Sequence, residues 1–213
     1  MRDCIFLLAD KNMQAAFEGF LTRPGFYQSI RCGQFDFDPR QDIRVAAGDN
    51  DPGLFTRGHE LLSPFQSSHH RAIVVLDAAW DGSPGANAIK DRLTARITST
   101  GWQEGTFQVI VIDPELENWI WQKNDHVACG LGYTNVEALM AEAEMQRAWP
   151  NDAAKPTQPK EALEAILRRK RIPRSSAIYK NITSQVSIRH CQDGAFQELL
   201  TTLQTWFSPE DVQ

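Results

Sequence analysis

The sequence predicts an α/β protein with a mainly parallel central sheet and flanking helices. Three continuous apolar runs are typical of strands that are buried on both faces: CIFLLAD, AIVVLD and FQVIVID. Each run ends on an acid, and these acids are Asp10, Asp77 and Asp113. Amphipathic helical patterns lie between the runs. Strands that alternate with helices indicate βα units and parallel pairing.

Helical periodicity covers most of the remaining chain. The patterns are NMQAAFEGFL, ANAIKDRLTARITSTGW, PELENWIWQ, NVEALMAEAEMQRAW, PKEALEAILRRKRIPRSS and the closing segment GAFQELLTTLQTWF. PELENWIWQ has proline at its first position and acids in its first turn, which favours a helix start there. Between the first helix and the second clear strand, residues 27–30 and 35–37 are predicted as short strands and 48–53 as a turn-rich loop.

A polar, proline-containing stretch, NDAAKPTQPK, divides the chain. We predict an α/β core over residues 1–150 and a helical C-terminal extension over residues 151–213 that packs on the same domain. The total of 213 residues fits this arrangement, since it is an ordinary length for one domain with a small appendage.

Composition and charge exclude several classes of protein. The chain is 42% hydrophobic and 23% charged, which is typical of a folded protein rather than a disordered one. A net charge of −5 excludes a protein that binds polyanions through its overall charge. The four cysteines form no CxxC pair, so we expect neither a zinc site nor a disulfide framework. GxSxG and P-loop patterns are missing, which disfavours an α/β-hydrolase or an ATPase.

The N-terminal apolar run spans only residues 5–9. It is too short for a signal peptide or a membrane span, and no other segment approaches spanning length. We therefore expect a cytoplasmic protein that makes no membrane contact.

One concentrated basic cluster interrupts this acidic chain. It consists of Arg168, Arg169, Lys170, Arg171 and Arg174. Basic residues are favoured at a helix C-terminus, but a cluster of this density exceeds what capping needs. We predict that it binds nucleic-acid phosphates or an acidic partner subunit, with simple helix capping as the alternative.

Acidic residues gather at the predicted carboxyl ends of the strands and at the next helix start. They are Asp10, Asp77, Asp81, Asp113, Glu115 and Glu117. Ligands of open parallel sheets bind at this edge, and Mg²⁺ prefers carboxylate oxygens. Such an ion holds phosphate oxygens and activates a nucleophile. The same acids also suit ordinary helix capping, so the pattern leaves both interpretations open.

Several longer stretches follow one another in a set order over nearly the whole chain. They are FLLADKNMQAAFEGFLTRPGF, DPGLFTRGHELL, AIVVLDAAWDGSP, VIDPELENWIWQ with DHVACGLGY, and IPRSSAIYKNI ending in WF. This order resembles the TOPRIM-like family of small proteins from bacterial defence operons, which includes the small subunit of the methylation-associated anti-phage defence system. The resemblance implies a TOPRIM-like fold and a role in antiviral defence.

The resemblance also implies a site. In TOPRIM domains a Glu after the first strand and a paired Asp motif after a later strand bind Mg²⁺ for phosphodiester cleavage or transfer. Here Asp10 and Asp77 match these positions, while Ala79 stands where the second acid of the pair is expected and Asp81 is a substitute two residues on. The implied catalytic residues are Asp10, Asp77 and Glu117, and the implied metal ligands are Asp10, Asp77, Asp81 and Glu115.

Two functions follow from these expectations. The first is a Mg²⁺-dependent nuclease or phosphodiesterase within a defence complex. The second is a non-catalytic subunit that uses the basic helix and the tryptophans Trp119 and Trp121 to bind partner proteins or nucleic acid. The missing acid at Ala79 favours the second function, and the remaining acids favour the first.

Overall fold

Four parallel strands form the centre of the fold. The structure is a computed structural model that describes residues 1–46, 48, 50–150, 152–188 and 191–209. The strands are β1 (Arg2–Leu8), β2 (Ile43–Val45), β3 (His69–Asp77) and β4 (Phe107–Ile112). Their order is β2-β1-β3-β4, and every neighbouring pair is parallel. The predicted α/β class is confirmed, whereas the TOPRIM-like assignment stays a prediction.

Helices connect the strands and follow them. In the first half of the chain they are α1 (Lys11–Leu21), α2 (Phe26–Ile30), α3 (Pro39–Asp42), α4 (Asn50–Leu62) and α5 (Ala86–Ser99). After β4 come α6 (Glu117–Ile120), α7 (Asp125–Gly130), α8 (Val136–Met145), α9 (Pro159–Lys170), α10 (Ser176–Thr183) and α11 (Gly194–Trp206). No helix in these described ranges is long and apolar enough to cross a membrane.

The strand order reverses between β1 and β3, where the chain leaves β1 toward β2 on one side and later returns to β3 on the other. In open parallel sheets ligands bind outside the carboxyl ends of the strands at such a switch point. Leu8 of β1 lies opposite Val75 of β3. Asp10 and Asp77 follow these positions closely, so both reach the same edge of the sheet.

Both faces of the central strands are covered. Residues 4–8 of β1 and 72–76 of β3 are almost fully buried, which explains why their sequences are continuous apolar runs rather than alternating ones. Cys4 is one of these core residues and carries a free thiol. The three strands predicted from apolar runs are therefore present at the expected places.

The predicted short strands at 27–30 and 35–37 are wrong. Residues 26–30 form α2, and residues 35–37 have no regular structure. Phe26 and Ile30 are both buried, and they lie four residues apart on one helical face. The hydroxyl of Tyr27 donates to the carbonyl of Phe35 at 2.8 Å, which holds the following segment against this helix.

Three other boundaries differ from the prediction. Helix α4 begins at Asn50, inside the predicted loop 48–53. Position 49 of that loop and position 151 of the predicted linker lie outside the described residues. Helix α6 begins at Glu117 rather than at Pro114, which follows a cis peptide bond. Helix α9 ends at Lys170 because Arg171 adopts a left-handed conformation, and Pro173 follows it.

The C-terminal helices lie directly on the first part of the chain, with α10 against α1 and α11 against β4. The contact between α10 and α1 is close at Gly19. A Cβ atom there would lie 2.6 Å from the carbonyl oxygen of Lys180 and even nearer to the Thr183 hydroxyl. A residue without a side chain is therefore required where these two helices meet.

We expect Gly19→Ala to lower the free energy of unfolding by about 1–3 kcal/mol, because the added methyl group overpacks a backbone contact that cannot move aside. Urea unfolding followed by circular dichroism measures the change. Gly194→Ala is the matched control, since a Cβ at Gly194 meets nothing within 4 Å. An equal effect in the two variants would contradict the close approach of α10 to α1.

Candidate functional site

Asp10 lies at the switch point and caps α1. Its Oδ1 accepts a hydrogen bond from the backbone N–H of Met13 at 2.8 Å, and its backbone is extended, as expected for an N-cap residue. Together with Lys11, Asn12 and Asn50 it lines a cavity of 320 Å³ at the carboxyl ends of β1 and β2. Asp10 therefore caps a helix and also lies in the cavity at the strand ends, two interpretations that the sequence left as alternatives.

Asp77 ends β3 at the same edge of the sheet. Its Oδ1 is buried and has no hydrogen-bond partner among the described residues. Its backbone N–H donates to Oδ1 of Asp51 at 2.7 Å. A buried carboxylate oxygen without a partner is unusual in folded proteins, where such groups are nearly always satisfied.

Asp51 is the member of the site that the sequence did not reveal. It stands in the first turn of α4 and interacts with Asp77 across 26 positions of sequence. Only its position one residue before a proline at a helix start marked it, and that pattern is common in loops. Its closeness to Asp77 depends on how α4 packs against the sheet, which no local pattern encodes.

Burial raises the pKa of Asp77 well above its ordinary value, and the negative charges of Asp51, Glu117, Asp10 and Glu115 raise it further. Like charges in one place disfavour ionisation, and a low-dielectric surrounding strengthens the effect. The carboxyl ends of β1 and β3 therefore carry an acidic cluster that favours a bound proton or a bound cation.

Asp51 shares this environment. Burial raises its pKa, and the charge of Asp10 adds to the rise, while the N–H of Asp77 and the positive charge of Lys160 oppose it. Both carboxyl groups, Asp51 and Asp77, therefore take up a proton more readily than they would in water.

Glu117 is buried and already neutralised. Its carboxylate accepts hydrogen bonds from the guanidinium of Arg174 and from the hydroxyl of Tyr179. Arg174 also donates to the Tyr179 oxygen at 2.9 Å and to Glu164 at 3.1 Å. Burial, followed by the charge of Glu117, raises the pKa of Tyr179, so this hydroxyl stays protonated. The network joins α6, α9 and α10, and it occupies the carboxylate that the sequence assigned to catalysis.

Glu115 is also buried, and its carboxylate accepts a hydrogen bond from a backbone N–H group. Its Oε1 accepts from the backbone N–H of Lys160, at the start of α9, at 3.0 Å. Burial raises the pKa of Glu115, and the nearby charge of Glu117 adds to the rise. Glu115 therefore contributes charge to the acidic cluster while one of its oxygens holds the N-terminus of α9.

Asp81 and Asp113 are exposed. The loop after β3 folds back on Pro114, whose carbonyl accepts from the N–H groups of Ala78 and Ala79 at 3.1 and 3.0 Å. The predicted acids are thus divided, since the charges of Asp10, Glu115 and Glu117 act on Asp77, while Asp81 and Asp113 lie on the surface.

The geometry limits how a metal ion can bind. Within the described ranges no group of three or more His, Cys, Asp or Glu side chains could hold a metal ion. A cage made of all four predicted ligands is therefore not present there. Mg²⁺ is usually held by one or two carboxylates, with water and substrate phosphates in its other positions. The unpartnered Oδ1 of Asp77 beside Asp51 fits that sparse kind of site.

The predicted basic cluster is divided in a similar way. Arg168, Arg169, Lys170 and Arg171 are exposed at the C-terminal end of α9, and we call them the basic end of α9. Arg169 lies 3.5 Å from Glu142, and Lys170 lies 4.1 Å above the ring of Tyr133. Arg174 instead belongs to the Glu117 network.

The two tryptophans of the α6 region are buried in the core, so the partner-binding role suggested for them does not fit the structure. The Nε1 of Trp119 donates to Asp193 at 2.9 Å, and the Nε1 of Trp121 donates to the carbonyl of Pro159 at 2.8 Å. Neither ring is available to a partner protein.

Comparison of the chain with models of protein families, with curated proteins and with solved structures found no match. Fold and site therefore define the class by themselves. The chain is a parallel α/β protein with a partly buried acidic cluster at the switch point of its sheet.

We expect Asp77→Asn to raise the free energy of unfolding near pH 7, where burial and the neighbouring negative charges oppose ionisation of the wild-type carboxyl group. The folded state binds a proton at Asp77 more tightly than the unfolded state does. The stability from this group is therefore fully present below the unfolded pKa of about 3.9 and is lost as pH rises through the raised folded pKa. The amide removes the ionisation.

Urea unfolding in a chelator, at about pH 4 and about pH 7, measures the effect. The variant and the wild type are expected to differ much less at the lower pH, where Asp77 is protonated in the folded state. Asp81→Asn is the control, because it makes the same chemical change on an exposed residue four positions away. A difference between Asp77→Asn and wild type that is the same at both pH values would contradict the raised pKa.

Proposed function

We propose that this protein is a cytoplasmic, TOPRIM-like component of a bacterial anti-phage defence complex, and that its acidic cluster binds Mg²⁺ to act on phosphodiester bonds of nucleic acid. The defence role is supported by the resemblance of the ordered stretches in the sequence. The metal-dependent chemistry is supported by one structural observation above the others, the buried and unpartnered Oδ1 of Asp77 at the switch point.

This observation supports a ligand because the alternatives do not satisfy the oxygen. Asp77 neither caps a helix through that atom nor pairs with a cation, in contrast to Glu117 beside Arg174. An unsatisfied buried acceptor costs about 1–3 kcal/mol. A divalent cation placed between Asp77 and Asp51 would satisfy the acceptor and reduce the repulsion between the two carboxylates.

Each acidic side chain of the cluster would have a separate role. Mg²⁺ bound there supplies positive charge to non-bridging phosphate oxygens. Asp77 and Asp51 would hold it, and Asp10, on the adjacent strand end, would orient a ligand water. Glu117 would not act as a base, because Arg174 and Tyr179 already bind its carboxylate.

A second candidate is a non-catalytic subunit that binds nucleic acid or a partner protein. Two observations favour it: the neutralised Glu117 and the exposed basic end of α9. In this case the acidic cluster would have no catalytic role, and the basic end of α9 would bind the nucleic acid or the partner protein.

Calorimetric titration with Mg²⁺ and with Mn²⁺ tests the first candidate. We expect wild-type protein to bind one ion and Asp77→Asn to bind at least about tenfold more weakly, since one good carboxylate contact exceeds 1.4 kcal/mol. Because Asp77 has a raised pKa, the ion must displace a proton. The apparent enthalpy should therefore differ between buffers of unequal ionisation enthalpy, and affinity should rise with pH.

Asp81→Asn again serves as the matched control and should bind as wild type does. The absence of binding by wild-type protein at millimolar metal would show that the acids are structural. The non-catalytic candidate would then be the one to pursue.

The double variant Arg168→Ala/Arg171→Ala tests the basic end of α9. Neither guanidinium has an ion-pair partner in the part of the chain that the structure describes. If both contact DNA phosphates, the slope of log affinity against log salt should become shallower by about 1.8, and binding should weaken about equally on all sequences.

Fluorescence anisotropy with labelled single-stranded and duplex DNA measures both quantities. Arg40→Ala/Arg92→Ala is the control, because it removes two exposed positive charges from other helices. Its net charge is therefore the same as that of Arg168→Ala/Arg171→Ala. If the two double variants lose affinity equally, only overall charge is involved, and the basic end of α9 is not a binding surface.

A further inference from the structure

Strand β4 is an edge of the sheet, and half of its backbone faces away from β3. The N–H of Ala72 in β3 donates to the carbonyl of Thr106 at 3.0 Å, directly before β4 begins. Backbone groups alternate in direction along a strand, so the parallel register gives the even-numbered residues of β4 to β3. The odd-numbered residues Phe107, Val109 and Val111 therefore point their N–H and carbonyl groups to the side where the described chain places no further strand.

These outward-facing groups belong to buried residues and have no partner. Phe107, Val109 and Val111 are 6%, 1% and 8% exposed. Among the described residues, no hydrogen bond is made by the backbone N–H or carbonyl of any of the three. Roughly nine in ten buried backbone groups in folded proteins are paired. A row of buried donors and acceptors along one strand is what a second extended backbone satisfies.

A cavity of 600 Å³ lies along this edge, between α5 and α11. Thr94 of α5 lines one side of it, and Thr201 and Trp206 of α11 line the other. Its strand side extends from Gly105 to Val109, a length of about 16 Å at about 3.3 Å per residue. The cavity therefore matches a single strand of about five residues, with a helix on each side.

The charged side chains of the cavity narrow the choice of occupant. Glu198 accepts hydrogen bonds from both Lys90 and Gln108, so its charge is already paired, and the Lys90–Glu198 pair joins α5 to α11 beside the strand. Charged pairs at a sheet edge limit pairing with another whole sheet, which disfavours a second copy of the chain. Glu104 also lines the cavity, is exposed and has no ion pair within the described ranges. This free negative charge favours a strand that carries Lys or Arg.

We propose that the edge of β4 binds an extended segment of a partner protein, about five residues long and carrying a Lys or Arg, as a fifth strand of the sheet. Hydrogen bonds to the backbone of Phe107 and Val109 supply the affinity, and Glu104 selects the basic residue. The cavity lies toward the beginning of β4, whereas the acidic cluster lies at the carboxyl ends of the strands. Binding of this segment is therefore separate from the proposed metal site.

A phage-displayed library of random short peptides is the probe. Peptides are selected on wild-type protein and then compared on Thr201→Trp, in which the indole fills the path of the strand, because Thr201 is exposed and lines the cavity. We expect the selected peptides to alternate apolar and polar residues, to contain Lys or Arg, and to bind Thr201→Trp at least about tenfold more weakly. Thr98→Trp is the matched control and should bind as wild type does, since Thr98 is exposed on α5 outside the cavity lining.

N-methylation of a selected peptide tests whether its backbone makes the contact. Methyl groups on alternate residues in one register remove the N–H groups that face β4, and affinity for wild-type protein should fall at least about tenfold. Methyl groups in the other register should change it less than about twofold. Glu104→Gln should weaken binding about two- to fivefold, because a surface ion pair is lost. Fluorescence anisotropy of the labelled peptides measures each affinity.

The assignment is overturned if no peptide is enriched on wild type relative to Thr201→Trp, or if both methylation registers weaken binding equally. Sedimentation velocity tests the other occupant, since a wild-type dimer that Thr201→Trp dissociates would mean that the edge pairs with a second copy instead. Thermal unfolding shows whether each variant is folded. The methylated peptides are measured on wild-type protein, so that comparison decides the matter even if Thr201→Trp does not fold.

Discussion

The parallel pairing of β1 with β3 positions the two acids at the centre of the site, Asp10 and Asp77. These strands are buried on both faces, so their register is fixed by apolar packing, and the pair Leu8 and Val75 sets the height at which both strands end. Two acids that lie far apart in sequence, Asp10 and Asp77, meet there because the chain crosses to opposite sides of β1. The same packing carries α4 over the sheet edge and brings Asp51 to the backbone of Asp77.

So much negative charge at one edge must be balanced, and the C-terminal part of the chain supplies the balance. Arg174, with the hydroxyl of Tyr179, neutralises Glu117, and the start of α9 uses one oxygen of Glu115. The extension is therefore part of the electrostatics of the sheet edge as well as of the core. Among the acids of this edge, Asp77 keeps a buried oxygen, Oδ1, that none of the described groups satisfies.

The strands and the acids at their ends could be predicted from the sequence, because continuous apolar runs and the residues after them are local features. Asp51 could not be predicted, since it joins the site through the packing of α4, which depends on contacts between distant residues. The prediction of a short strand at 27–30 was wrong for another reason. Aromatic and β-branched residues there satisfy a helix as well, and burial of Phe26 and Ile30 on one face favoured it.

Glu117 is buried and Asp77 has one buried oxygen, yet the two carboxyl groups differ in what satisfies them. An acid that serves only the fold is expected to end as Glu117 does, with donors on its carboxylate, because leaving one partner out costs more than the pair contributes. Asp77 lies on the same edge, next to a further acid and within the field of others, and it lacks such donors. The surrounding structure holds the Asp77 carboxyl group in this environment. Ionisable groups whose pKa is strongly shifted by burial and by neighbouring charges are concentrated at functional sites, which supports a ligand at Asp77.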